Sequence, residues 1–160
     1  MNVQQKQKQK GFTIIEVVLV LAIAGLIFLM VFIALPALQR SQRDAQRKND
    51  MSRAITAVTN YASNNRNKVP QTKAEWGTLT TGYLTTSGDT FTDPTGEDYS
   101  FQNVAKTKPS IPDTFDSTKP YIYVTLSAVC NGEDVVTGQG SNKVALQMKL
   151  EGGGIACDNN

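Results

Sequence analysis

The run from Val17 to Leu35 holds no charged side chain, and Glu16 stands at its mouth. Together with Phe12 to Ile15 the run makes about 24 residues. As a helix that is ~36 Å, enough to cross a ~30 Å hydrocarbon core with some tilt. The stretch is apolar on every side, as a membrane helix requires and a surface helix does not. A carboxylate in such a place is costly, at least ~2.5–3.5 kcal/mol near the bilayer centre. Whatever compensates Glu16 therefore constrains what the chain can become. The rest of the 160 residues is enough for one small core and nothing divides it further.

The residues ahead of the run are polar. Lys6, Lys8 and Lys10 precede Gly11, and no small-residue cleavage site follows the apolar stretch. A secretory signal peptide has its cleavage site after its apolar region, so the order here is inverted. Cleavage at Gly11 would remove the leader, residues 1–11, and keep the helix. The leader lysines predict a cytoplasmic N-terminus, with residues 40–160 outside. Arg40, Arg43, Arg47 and Lys48 at the far end oppose that orientation, and Asp44 and Asp50 offset only part of their charge.

The formal net charge is +2, from 16 basic and 14 acidic residues; without the three leader lysines it is 13 against 14, or −1. A near-neutral body has no electrostatic footprint for nucleic acid. There is no histidine, which removes His-based triads and His-ligated metals. The two cysteines, Cys130 and Cys157, predict one disulfide in an oxidising compartment, the alternative being two buried thiols. A loop of that length contributes on the order of 3 kcal/mol in the chain-entropy account.

Gly25 and Pro36 interrupt the apolar segment, and a kink or melted stretch is expected between them, or a gentle bend without a role. Beyond Pro36 the composition turns polar, yet Met51, Ala54, Ile55, Val58, Tyr61 and Ala62 keep the helical period. One helix is therefore predicted over 12–65. Its membrane part is 12–38, and its second half is the spine of a head over 66–160. Asn64 to Asn67 and Pro70 end it.

In the head, Thr72-Lys73-Ala74-Glu75 matches a capping box, with Trp76 and Leu79 packing the short helix down. Tyr99–Val104, Tyr121–Ala128 and Lys143–Leu150 read as strands of an antiparallel sheet covered on one face by the Met51–Ala62 stripe. The fold class is α+β. Asp93, Glu97 and Asp98 lie in the turn Phe91-Thr92-Asp93-Pro94-Thr95-Gly96-Glu97-Asp98-Tyr99. They are weak calcium candidates, since no EF-hand spacing is present and acidic turns are usually solvated. No cofactor is expected.

Lys10-Gly11-Phe12-Thr13-Ile14-Ile15-Glu16-Val17-Val18 resembles the class III leader and N-terminus of type IV pilins and pseudopilins. The motif covers roughly residues 6–35. The resemblance implies a fold of one long helix packed on a small sheet. It implies a prepilin peptidase that cuts between Gly11 and Phe12 and methylates the new amine of Phe12. Glu16 would pair with that amine on a neighbouring subunit. Opposite charges in low dielectric attract strongly enough to cancel much of the burial cost. Around Gly25 and Pro36 the helix would loosen in the filament. The Cys130–Cys157 loop would pack on neighbours or face outward.

The implied partners are further copies of the chain, an inner-membrane assembly platform with its ATPase, minor pilins, and membrane lipid before assembly. A major pilin serving motility, adhesion or DNA uptake is the favoured reading. A major pseudopilin of a type II secretion system is the alternative, to which the turn Asp93-Pro94-Thr95-Gly96 leading to Tyr99 pulls. A membrane-anchored enzyme finds no support, because no phosphate loop, nucleophile elbow or metal-ligand cluster is present. An anchored binding module would tolerate any residue at position 16 and keep its leader.

Overall fold

The structure, a computed structural model, describes residues 11–160. Lys6, Lys8 and Lys10 of the expected leader lie outside the described residues. Helix α1 runs Ile14–Asn64, 51 residues. It is helical at every position, Pro36 included. Proline removes one amide donor, and the i→i−4 bonds on either side hold the helix across the gap.

The chain divides after Leu38, and Gln39–Asn160 forms one compact unit. In the preceding unit the large apolar side chains are exposed, among them Leu21, Phe28, Phe32 and Ile33. The helix they decorate is long and apolar enough to cross a membrane.

In the compact unit, α1 buries Met51, Ala54, Ala57, Val58 and Ala62, with Ile55 and Tyr61 partly covered. This is the expected stripe, widened by Ala57. Helix α2 spans Lys73–Leu79 and starts on the expected capping box, Thr72 accepting from the Glu75 amide and Glu75 from the Thr72 amide. A π-helical turn, Thr80–Leu84, and a 3₁₀ turn, Thr86–Gly88, follow. Trp76 and Leu79 are fully buried, and the indole packs on Phe101 at 4.5 Å between ring centroids.

Six strands follow: β1 Ser100–Ala105, β2 Tyr121–Leu126, β3 Ala128–Asn131, β4 Asp134–Thr137, β5 Val144–Lys149 and β6 Ile155–Asn159. The main sheet has the order β1-β2-β5-β6, and β3 and β4 form a separate hairpin. The sheet departs from the antiparallel expectation at one pair, because β1 runs parallel to β2. A parallel pair needs a crossover of about a dozen residues or more. Residues 106–120, carrying Pro109, Pro112 and Pro120, supply one.

Ile122, Val124, Leu146 and Met148 point to the core shared with α1. On the opposite face Thr125, Ala145 and Gln147 are also buried. Ala145 packs in a small cluster with Ala128 and Val135 of the hairpin, and Gln147 Nε2 donates to the Glu133 carbonyl (2.7 Å). The sheet is thus covered on both faces, not on one.

The region expected to be a loop closed by cysteines is largely strand. Cys130 of β3 and Cys157 of β6 form a disulfide that ties the hairpin to the main sheet, with Cα atoms 5.8 Å apart. The Cys130 amide also donates to Asn159 Oδ1 (3.0 Å). Such short strands carry too few residues for an alternating pattern to show in sequence.

Candidate functional site

Two groups of residues stand out, one at the mouth of α1 and one where α1 enters the compact unit.

At the mouth, Gly11 and Phe12 precede the helix and Phe12 is 89% exposed. Thr13 is the N-cap. Its amide and its hydroxyl both donate to Glu16 Oε2 (2.8 Å each), and the Glu16 amide donates to Thr13 Oγ1 (3.3 Å). This is a reciprocal capping box. The Glu16 carboxylate is therefore held at the positive end of its own helix in the lone chain, beside Phe12. The same Thr-x-x-Glu spacing that marks α2 at Thr72 to Glu75 also occurs at Thr13 to Glu16, so this cap was readable from sequence. The Glu16 side chain is exposed, where a group from outside the chain can approach it.

Farther along α1 lies a cluster that the periodicity of apolar residues does not reveal. Asp44, Arg47 and Asp50 extend the buried face of Met51 and Ala54 toward the N-terminus and are themselves buried. The Arg47 side chain is 0% exposed. Its Nε and Nη2 donate to both oxygens of Asp93 (2.6 and 2.9 Å), and Nη1 donates to Asp44 (2.9 Å) and Glu151 (3.3 Å). The guanidinium also lies 4.2 Å from the Phe115 ring centre, a cation–π contact.

Arg43 makes a second fork, donating to both oxygens of Glu151 (2.6 and 2.8 Å), with Arg40 3.8 Å away. Asp44 accepts from the backbone amides of Glu151 and Gly152 (2.9 and 2.7 Å). Asp50 accepts from the buried Tyr99 hydroxyl (3.0 Å) and from Arg53 (3.2 Å).

The charges respond to these neighbours. The two Arg43 hydrogen bonds, with the one from Arg47, hold Glu151 down to about 2 despite some desolvation. Burial pushes Asp93 up, but hydrogen bonds from Arg47 and Thr95 outweigh it and the carboxyl stays below the usual range. Burial, with the nearby Asp50 and Asp93, drives the Tyr99 hydroxyl far above its ordinary value. Arg47 stays charged, since its carboxylate partners outweigh the desolvation that opposes it.

Each carboxylate reaches the cluster on a local turn. Asp93 opens a β-turn in which the Gly96 amide donates to the Asp93 carbonyl (2.8 Å), with Pro94 at the second position, and Oδ1 accepts from the Thr95 amide (3.0 Å). Glu151 sits in the β5–β6 turn with Gly152, where a Cβ would meet Asp44 Oδ2 at 2.9 Å. Of the three calcium candidates, Asp93 is thus engaged by Arg47, while Glu97 and Asp98 are exposed. Among the described residues no three His, Cys, Asp or Glu side chains converge on a metal position. Part of the basic flank that opposed the orientation is internally paired: Arg43 and Arg47 spend their charge on Asp44, Asp93 and Glu151, while Arg40 and Lys48 are exposed.

The prokaryotic N-terminal methylation motif matches residues 6–32, the class III leader of type IV pilins. The match ties this N-terminus to the type IV pilin and pseudopilin class; the motif points to a structural subunit and, with the long apolar helix, fits a membrane-anchored precursor. Neither the curated proteins nor the solved structures contain a significant match.

Proposed function

We propose that the chain is the major structural subunit of a type IV pilus. It is stored in the membrane through residues 12–38 and polymerised by that helix into an extracellular filament. The observation that carries this reading is the register of Gly11, Phe12 and Glu16 ahead of an apolar helix whose large side chains are exposed among the described residues. Removal of residues 1–11 frees the amine of Phe12, which is then methylated. On assembly, that amine approaches Glu16 of an adjacent copy, and the carboxylate passes from its own Thr13 cap to an intersubunit ion pair. The transfer lets both charges enter the apolar filament centre, because an unpaired ion there costs several kcal/mol. The leader lysines keep the N-terminus cytoplasmic, and the head lies outside, where the Cys130–Cys157 bond is stable.

A second reading is favoured by one feature, the turn Asp93-Pro94-Thr95-Gly96 that leads to Tyr99 and the sheet: a major pseudopilin, forming short periplasmic fibres for secretion. Mass spectrometry of the purified chain should give Phe12 as its first residue, and an intact Met1 would sink both readings. Imaging of cells expressing the tagged chain should show long surface filaments. Fibres confined to the periplasm would replace the pilus with the pseudopilus. Glu16→Ala should remain in the membrane and fail to assemble.

A further inference from the structure

Between Leu38, where the apolar run ends, and Met51, where the buried stripe begins, α1 reads Gln-Arg-Ser-Gln-Arg-Asp-Ala-Gln-Arg-Lys-Asn-Asp. Ala45 is the one apolar residue in that stretch, and it is exposed. Residues 39–50 therefore have no apolar surface to give to a bilayer or to the core. A polar helical stretch of this length is marginal in water by itself. Yet its inner face, Asp44, Arg47 and Asp50, is buried, and each of these side chains is anchored to a segment far away in sequence. The anchors are the Asp93 turn, Tyr99 and the β5–β6 turn.

We propose that Arg43, Arg47, Asp44, Asp93 and Glu151 form a clasp that locks residues 43–50 of α1 to the two turns, so that any loosening of the helix is confined to the residues before Gln39. Charge pairs suit this role better than apolar contacts do. A bidentate guanidinium–carboxylate pair is satisfied in one geometry, whereas an apolar patch tolerates sliding. Arg47 has partners on two turns outside α1, Asp93 and Glu151, so a slip of α1 by one residue would pull a buried cation away from both. On the filament side, Gly25 and Pro36 lie in the unclasped part, which carries no such pairs among the described residues. The loosening on assembly rests on the pilin reading; the clasp does not, and it is tested without assembly.

The experiment is amide hydrogen exchange on the full chain in detergent micelles, comparing wild type with Glu151→Gln, Arg43→Gln and Asp93→Asn. Peptides covering 39–50 and 54–62 are read separately. In Glu151→Gln and Arg43→Gln, exchange over 39–50 should rise about tenfold or more while 54–62 stays within about twofold. Asp93→Asn should show the same pattern more strongly. If that variant unfolds, its loss of protection over 54–62 will reveal it, and the other two carry the test. Unchanged protection over 39–50 in Glu151→Gln and Arg43→Gln would overturn the clasp. Equal loss over 39–50 and 54–62 in both would also overturn it, since the cluster would then merely support the core.

Discussion

Asp93→Asn is the sharpest perturbation of the head. The Arg47 and Asp93 side chains are both 0% exposed and joined by two hydrogen bonds, 2.6 and 2.9 Å. Removing one charge of a buried pair costs about 3–5 kcal/mol, because the remaining ion is left without compensation. Here Asp44 and Glu151 still reach Arg47 Nη1, and an asparagine oxygen keeps one acceptor, which places the expected loss near the lower end, about 3 kcal/mol. Urea titration of the full chain in micelles can measure it. Trp76 is the sole tryptophan and is fully buried, so its fluorescence reports unfolding of the head. With a slope of about 1–3 kcal/mol/M the midpoint should fall by about 1–3 M. Glu97→Gln, in the same turn but exposed, should change stability by about 0.5 kcal/mol or less. A loss below about 1 kcal/mol in Asp93→Asn would refute the view that this buried pair anchors the turn.

Acid should act on the same cluster. The folded-state pKa of Glu151 lies at about 2, below its ordinary value of 4.5, and Asp93 is also lowered. The stabilisation these carboxylates give is therefore full above about pH 4.5 and is lost as the pH falls toward 2. For the partly exposed Glu151 it is on the order of 1 kcal/mol after allowance for solvent screening, and Glu151→Gln should flatten the acid limb of Trp76-monitored stability. Gly154→Ala should cost about 1–2 kcal/mol in the urea midpoint. Its φ is +76° and a Cβ would lie 2.7 Å from Glu133 Oε1. The double variant Cys130→Ser/Cys157→Ser should lose about 2–4 kcal/mol in the same titration, with a loop of separation 27 released. A reducing agent should produce the same loss in the wild type and none in the variant.

Several elements were readable because their signal is local. The stripe Met51, Ala54, Val58 and Ala62 is a 3.6-residue period, and Thr72 to Glu75 is a four-residue cap. The same rule, applied to Thr13 and Glu16, would have found the helix mouth's own cap. Upstream of Met51 the stripe continues in charged residues, and a search for apolar period passes over Asp44, Arg47 and Asp50. Their positions, seven and four residues before Met51 and four before Ala54, carry the period even though their chemistry does not. The hairpin β3–β4 and the strand β6 are four or five residues each, too short for alternation to rise above composition.

That α1 is a membrane-compatible helix, that its second half is amphipathic, and that Gly11, Phe12 and Glu16 stand in a fixed register can all be read from residue order. Spacing along a single helix sets all of these. It took the folded chain to show that β1 lies parallel to β2, that the cysteines staple a hairpin to a sheet edge, and that Arg43 and Arg47 of the basic flank are paired. The last depends on Arg47 meeting Asp93 and Arg43 meeting Glu151 across sequence separations of 46 and 108. Whether a charge is exposed or paired is settled by which distant turn folds over it, and no local pattern encodes that choice.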